Sequence, residues 1–168
     1  KLSSGILAEV AHHGTPEQRH RAGLLQRVKL YWITDVLERS LHGAAIIGLN
    51  MVTYILNPWG TTHERADQRG HPVSPQFSIV DVFDELHHSL LILGEPGSGK
   101  TTLLLELARH LIARFEKSTV HNLDTPMPVV FNLSSWEPDK AIVDWLVEEL
   151  NNKYQISGNV ARIWAENG

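Results

Sequence analysis

Apolar side chains recur at three- and four-residue spacing in four separate stretches of the chain, and each stretch predicts a helix with one buried face. The first carries Leu24, Leu25, Val28, Trp32, Val36, Leu37 and Leu41. Thr15 suits its N-cap, Pro16 its first turn, and Gln18 can close a capping box. That helix is expected to run from Thr15 to about His42, ended by Gly43. Its stripe is expected to pack on the rest of the chain; a free partner-binding helix is the alternative. A short helix is expected over residues 79–86, with Ile79, Val82, Phe83 and Leu86 facing one way. A third follows from Thr101 to Phe115, with Leu103, Leu104, Leu107, Leu111 and Phe115 on one face. A fourth spans about 138–154 through Ile142, Trp145, Leu146 and Leu150, and a shorter one covers roughly 159–166.

Two continuous apolar runs break the helical period. Leu90-Leu91-Ile92-Leu93 and Val129-Val130-Phe131-Asn132-Leu133 suit buried parallel strands. Residues 1–14 and 116–127 are polar connections, residues 44–56 fit a strand or a short helix, and residues 60–76, with Gly70, Pro72 and Pro75, fit a linker.

Between the first run and the third helix lies Gly94-Glu95-Pro96-Gly97-Ser98-Gly99-Lys100-Thr101, a G-x-x-x-x-G-K-[ST] phosphate-binding loop. Glycine is only about 7% of average sequence, so a chance match in a chain this long falls well below roughly 1 in 100. The residue types fit the chemistry. Successive backbone N–H groups form a concave nest for phosphate oxygens, and the helix start adds its positive dipole end. Gly94, Gly97 and Gly99 let the backbone approach closely. Lys100 can reach the β- and γ-phosphates, the Thr101 hydroxyl can ligate Mg²⁺, and Thr102 can touch the α-phosphate. The candidate nucleotide-binding residues are therefore Gly94, Glu95, Pro96, Gly97, Ser98, Gly99, Lys100, Thr101 and Thr102. Lys100 is the candidate catalytic side chain and Thr101 the candidate metal ligand.

Composition adds limits. The chain has 168 residues, 42% hydrophobic and 20% charged, with a formal net charge of −4 and no cysteine. This suits a globular protein with a sizeable core and excludes disulfides and thiolate metal sites. Nothing global points to nucleic acid, and no apolar run approaches the ~20 residues that span a bilayer. A cytoplasmic location and no membrane partner are the expectations. The ten histidines are scattered and fit packing or surface positions better than a metal site. The chain opens on Lys1 and stops at Asn167-Gly168, which suggests a piece of a longer protein.

A loop of this kind is ordinarily paired with a strand of apolar residues ending in an acid that holds the magnesium shell. No such strand stands out. Ile79-Val80-Asp81 precedes the loop, Leu123-Asp124 sits in a polar connection, and Ile142-Val143-Asp144 follows a helical period. No Asn-Lys-x-Asp guanine signature is present, which favours ATP or ADP over GTP. The sequence supports nucleotide binding better than turnover.

Residues 90–168 resemble the NACHT clade of the STAND class of P-loop NTPases, particularly its bacterial members. The resemblance rests on residues 91–104, on Pro128-Val129-Val130-Phe131-Asn132-Leu133-Ser134-Ser135-Trp136, and on Trp145-Leu146-Val147-Glu148-Glu149-Leu150. Residues 32–41 look like the segment that precedes such domains. The resemblance implies an α/β fold, a P-loop NTPase with a parallel sheet in an αβα sandwich. Here the sheet would be incomplete, and the two strands would not be neighbours in it. Residues 73–168 would form the N-terminal part of that domain, after a helical segment and linker over 1–72. The resemblance further implies a signalling switch that binds ATP or ADP with Mg²⁺, exchanges nucleotide, self-associates, and hydrolyses ATP in the full-length protein. It implies that residues near Phe77 and Ile79 flank the base. A nucleotide-stabilised scaffold without turnover and a P-loop small-molecule kinase are the alternatives.

Overall fold

In a computed structural model of the chain, residues 14–39, 52–53, 71–72, 78–117 and 125–167 are described. Helix α1 spans Pro16–Val28. The Thr15 hydroxyl accepts from Gln18 N (3.2 Å) and the Gln18 side chain accepts from Thr15 N (2.8 Å), so the capping box forms as its residues demand. From Lys29–Glu38 the same rod widens into π-helical winding. Leu24, Leu25, Val28, Trp32 and Leu37 are buried, as the stripe requires. Ile33, four positions before Leu37 and so on the same face, is buried too. Leu41 and the expected helix end at Gly43 lie outside the described residues.

Helix α2 (Ile79–Glu85) is capped by Ser78, whose hydroxyl and N–H exchange hydrogen bonds with Asp81. His87 and His88 then take left-handed backbone angles, φ 53° and 64°, and turn the chain away. Helix α3 (Lys100–Lys117) is the longest. Its buried face is Leu105, Leu107, Ala108, Ile112 and Phe115, about one position round from the expected stripe. Leu104 is exposed instead, since Ala108 supplies the close-approach position that counting large residues overlooks. A single 3₁₀ turn (Leu133–Ser135) leads to α4 (Ile142–Asn152), and α5 (Gly158–Asn167) packs back on it. Arg162 donates to Asp144 (2.8 Å) across that hairpin. Trp145 and Leu150 are buried, whereas Ile142 at the first turn is exposed.

The core joins all of these except α2. Leu24, Leu25, Val28, Trp32, Ile33 and Leu37 pack with Leu105, Ala108, Ile112 and Phe115 of α3, and with Val130, Leu150, Tyr154, Ile156 and Ala161. Lys29 donates to Glu116 at 2.8 Å beside this contact. No helix among the described residues is long and apolar enough to cross a membrane.

The expected α/β architecture is not what forms. The described residues are predominantly helical, and their one ladder is a two-residue antiparallel pair, Val52 opposite Pro72 and Thr53 opposite His71. Residues 90–93 and 129–133, both expected as strands of a parallel sheet, pair with nothing among the described residues. An apolar run of four or five residues measures only a wish for burial; a strand needs a neighbour for its N–H and C=O groups. Leu91 and Leu93 are 68% and 74% exposed, the opposite of a buried strand. Just before the second run, Pro126 and Pro128 lack N–H donors with which to extend a ladder, and Leu133 leaves the run to start the 3₁₀ turn. There the Asn132 side chain accepts from Ser134 N (3.1 Å). Most of the segments expected over 1–14, 44–56 and 60–76 lies outside the described residues, apart from residue 14 and the paired residues 52–53 and 71–72; of the connection expected over 116–127, residues 116–117 end α3, 125–127 are extended or bent, and 118–124 lie outside the described residues.

Candidate phosphate-binding loop

Residues 90–93 run into the loop, and α3 leaves it at Lys100. The loop is a turn closed by Ser98 N donating to Glu95 O (3.1 Å). Gly97 and Gly99 have φ of 79° and 86°, which an L side chain adopts only with strain. At Gly94 the limit is space: a Cβ there would lie 2.6 Å from Ser98 Oγ. Backbone angle thus calls for glycine at 97 and 99, while at 94 a Cβ would oblige the Ser98 hydroxyl to turn aside.

The helix start completes the arrangement. The first intrahelical bond of this turn runs from Leu103 N to Gly99 O (2.9 Å). The N–H groups of Lys100, Thr101 and Thr102 come before it and have no carbonyl within the helix to serve. Residues 94–98 and Thr101 are exposed, and Gly99, Lys100 and Thr102 are half-buried, so the donors are open to a ligand. The Lys100 ammonium folds over the loop and donates to Gly94 O (2.9 Å) and Glu95 O (2.8 Å). It is therefore held over the loop backbone by two carbonyls.

All nine candidate residues, 94–102, are contiguous at one helix end. Other expectations fare differently. Ile79 is buried in the first turn of α2, and Phe77 lies outside the described residues. Of the acids considered for magnesium, Asp81 caps α2 and Asp144 pairs with Arg162, while Asp124 lies outside the described residues. Hydrogen bonds from Ser78 hold the Asp81 carboxyl below its ordinary value, and the Arg114 guanidinium does the same for Asp84. Among the described residues no group of three His, Cys, Asp or Glu side chains could hold a metal ion. Thr101 offers one hydroxyl oxygen at the helix start. That suits a Mg²⁺ ion bound mainly through phosphate and water oxygens.

Two features escaped the sequence reading. One is a hydrogen-bond relay through the core: Trp32 Nε1 donates to the Tyr154 hydroxyl (2.7 Å), which donates to the Val130 carbonyl. The other is a cleft of about 590 Å³ away from the loop, walled by Met127, Val129 and Phe131 on one side and by Leu146, Ile163 and Trp164 on the other. Glu17 and Arg21 stand at it, the first accepting from Trp164 Nε1 (2.8 Å) and the second donating to the Thr125 carbonyl. Neither was visible because each joins residues fifteen or more positions apart with no shared motif.

No family model, no curated protein and no solved structure matches the chain.

Proposed function

We propose that residues 94–102 bind the phosphate tail of ATP or ADP, and that this chain is a nucleotide-binding part of a STAND-type signalling switch of the NACHT kind. The observation that carries the reading is the loop itself. Left-handed Gly97 and Gly99 lead into an uncapped helix start, with the Lys100 ammonium folded over the same loop. Backbone donors, the positive helix end and one cation meet at this loop, a set of groups that favours a polyphosphate.

The binding step follows from these groups. Phosphate oxygens accept from the free N–H groups of the helix start. Lys100 exchanges its two loop carbonyls for β- and γ-phosphate oxygens, so one set of charge-assisted bonds replaces another. The Thr101 hydroxyl would supply one oxygen to a Mg²⁺ ion, whose charge offsets that of the phosphates. The reading implies a cytoplasmic protein and self-association of the switch.

Calorimetry with ATP and ADP tests it. Lys100→Ala removes a charge-assisted contact worth about 1.5–3 kcal/mol, so affinity should fall by about one to two decades. The half-buried Lys100 side chain contributes no core packing, so the melting temperature should hold. Equal affinity in the parent and in Lys100→Ala overturns the assignment.

A further inference from the structure

Helix α2 takes no part in the shared core and packs on α3. Ile79 and Val82 are its buried side chains, and one exposed ion pair fixes its direction. The Arg114 guanidinium of α3 donates through both terminal nitrogens to both oxygens of Asp84, at 2.8 and 2.7 Å. A two-point fork of this kind sets orientation as well as distance. The same carboxylate faces the exit turn of α2. His88 Nε2 lies 3.4 Å from Asp84 Oδ1, and the His88 ring stands against Phe83 at 5.3 Å. The left-handed His87 and His88 make that turn, closed by His88 N donating to Phe83 O (2.9 Å). Asp84 is therefore the node between α3 and the chain that enters the phosphate-binding loop.

That chain has little slack. Leu90 and Ile92 are half-buried while Leu91 and Leu93 are exposed, the alternation of extended backbone. Gly94 stands six positions after His88, about 20 Å of extended chain. Lys100 and Arg114 are fourteen positions apart on α3, about 21 Å along its axis. One end of the run is tied at Arg114 through Asp84. The other is tied at Lys100, whose ammonium holds the Gly94 carbonyl. The two lengths match, so the run reaches both ties only when extended. We propose that Arg114 and Asp84 are positioning residues for the phosphate-binding loop: their pair anchors the far end of residues 89–93 and so keeps the loop beside the start of α3. The pair acts through the backbone, from about 21 Å away. Its effect on affinity rests on the nucleotide reading; the anchoring itself does not.

The chain has no cysteine, so spin labels at Leu93→Cys and at the exposed Gln26→Cys on α1 report where the run sits, without nucleotide. Pulsed electron spin resonance should give one narrow distance distribution in the labelled parent. Arg114→Ala and Asp84→Asn should each broaden it, and the exchanged pair, Asp84→Arg with Arg114→Asp, should narrow it again. Melting temperatures should hold, because the pair is exposed. In calorimetry with ATP, affinity should be about three- to fivefold lower in both single variants and restored in the exchanged pair. Long-range charge would act otherwise. Arg114→Ala removes a positive charge and Asp84→Asn a negative one, so their effects on an anion would have opposite signs. A distribution that stays narrow in both single variants overturns the proposal. So do affinity changes of opposite sign, or broadening that leaves ATP affinity unchanged. If circular dichroism shows that the exchanged pair does not fold, the two single variants decide. A parent that binds no ATP overturns the nucleotide reading alone, and the distance distributions then decide the anchoring.

Discussion

The indole of Trp32 and the phenol of Tyr154, 122 positions apart, meet at 2.7 Å in the core. Tyr154 is fully buried and passes its own hydroxyl hydrogen to the Val130 carbonyl. One side chain thus ties the N-terminal helical rod, the α4–α5 turn and the rim of the apolar cleft. Lys153 lies over the Tyr31 and Trp32 rings at 4.7 and 4.2 Å and covers the junction from outside.

Burial pushes the Tyr154 hydroxyl up to about 12, against the Trp32 hydrogen bond that pulls it down. An unfolded tyrosine titrates near 10. The folded value is the higher one, so this contribution to stability is complete below pH 10. It is lost as pH rises from 10 through 12. Tyr154→Phe should abolish that component of the alkaline decline. At neutral pH it should cost about 1–3 kcal/mol, because Trp32 Nε1 and the Val130 carbonyl lose their partner in the core. Urea unfolding of both proteins at pH 7, 10 and 11.5 checks it: parallel alkaline declines would contradict the relay.

The first helix was legible because its signals agree with each other. Thr15, Pro16 and Gln18 name the start, and Leu24, Leu25, Val28, Trp32 and Leu37 name the buried face. The turn at 94–99 was legible as a glycine-dependent turn before a helix, since Gly97 and Gly99 take left-handed angles that their residue type allows. The sheet was misread because strandness is settled by a neighbour. Leu90-Leu91-Ile92-Leu93 states only that the run is apolar, and nothing in those letters says whether a partner stands beside it. The Trp32–Tyr154 bond and the Arg21–Thr125 bond are tertiary facts with no local signal.

Two leucines five residues apart on the same rod should behave oppositely. Leu25 is fully buried in the shared core, and Leu30 is 60% exposed. Leu25→Ala should cost about 2–5 kcal/mol through lost burial and the cavity left behind. Leu30→Ala should stay within about 0.5 kcal/mol. Chemical denaturation of both separates a packed rod from a loosely attached one, which would respond little to either change.

Gly97 isolates backbone angle from space. Its φ is 79°, and a Cβ there would meet nothing within 4 Å. Gly97→Ala therefore acts only through conformation, at a cost on the order of 1–2 kcal/mol for the left-handed angle. The loop is exposed and outside the core, so it can relax by distorting, and the melting temperature should change little. Nucleotide affinity should fall about tenfold as the N–H nest opens. Retained affinity would mean that phosphates do not use this conformation.

Thr101 gives the sharpest test of how a divalent ion would arrive. The Thr101 hydroxyl is one oxygen, and among the described residues no cluster of three acidic or histidine side chains surrounds it. Mg²⁺ seeks six oxygens and keeps much of its water. Titration of Mg²⁺ alone should therefore give no saturable heat. With ATP present, Mg²⁺ should raise nucleotide affinity in the parent, because nucleotide and ion bring most of the oxygens with them. Thr101→Ala should lose most of that increment and keep the affinity measured in EDTA, while Thr101→Ser, which retains the hydroxyl, should keep both. If Thr101→Ala and the parent gain equally from Mg²⁺, the hydroxyl is not a ligand. If Mg²⁺ binds tightly without nucleotide, the ion is held by residues other than the loop.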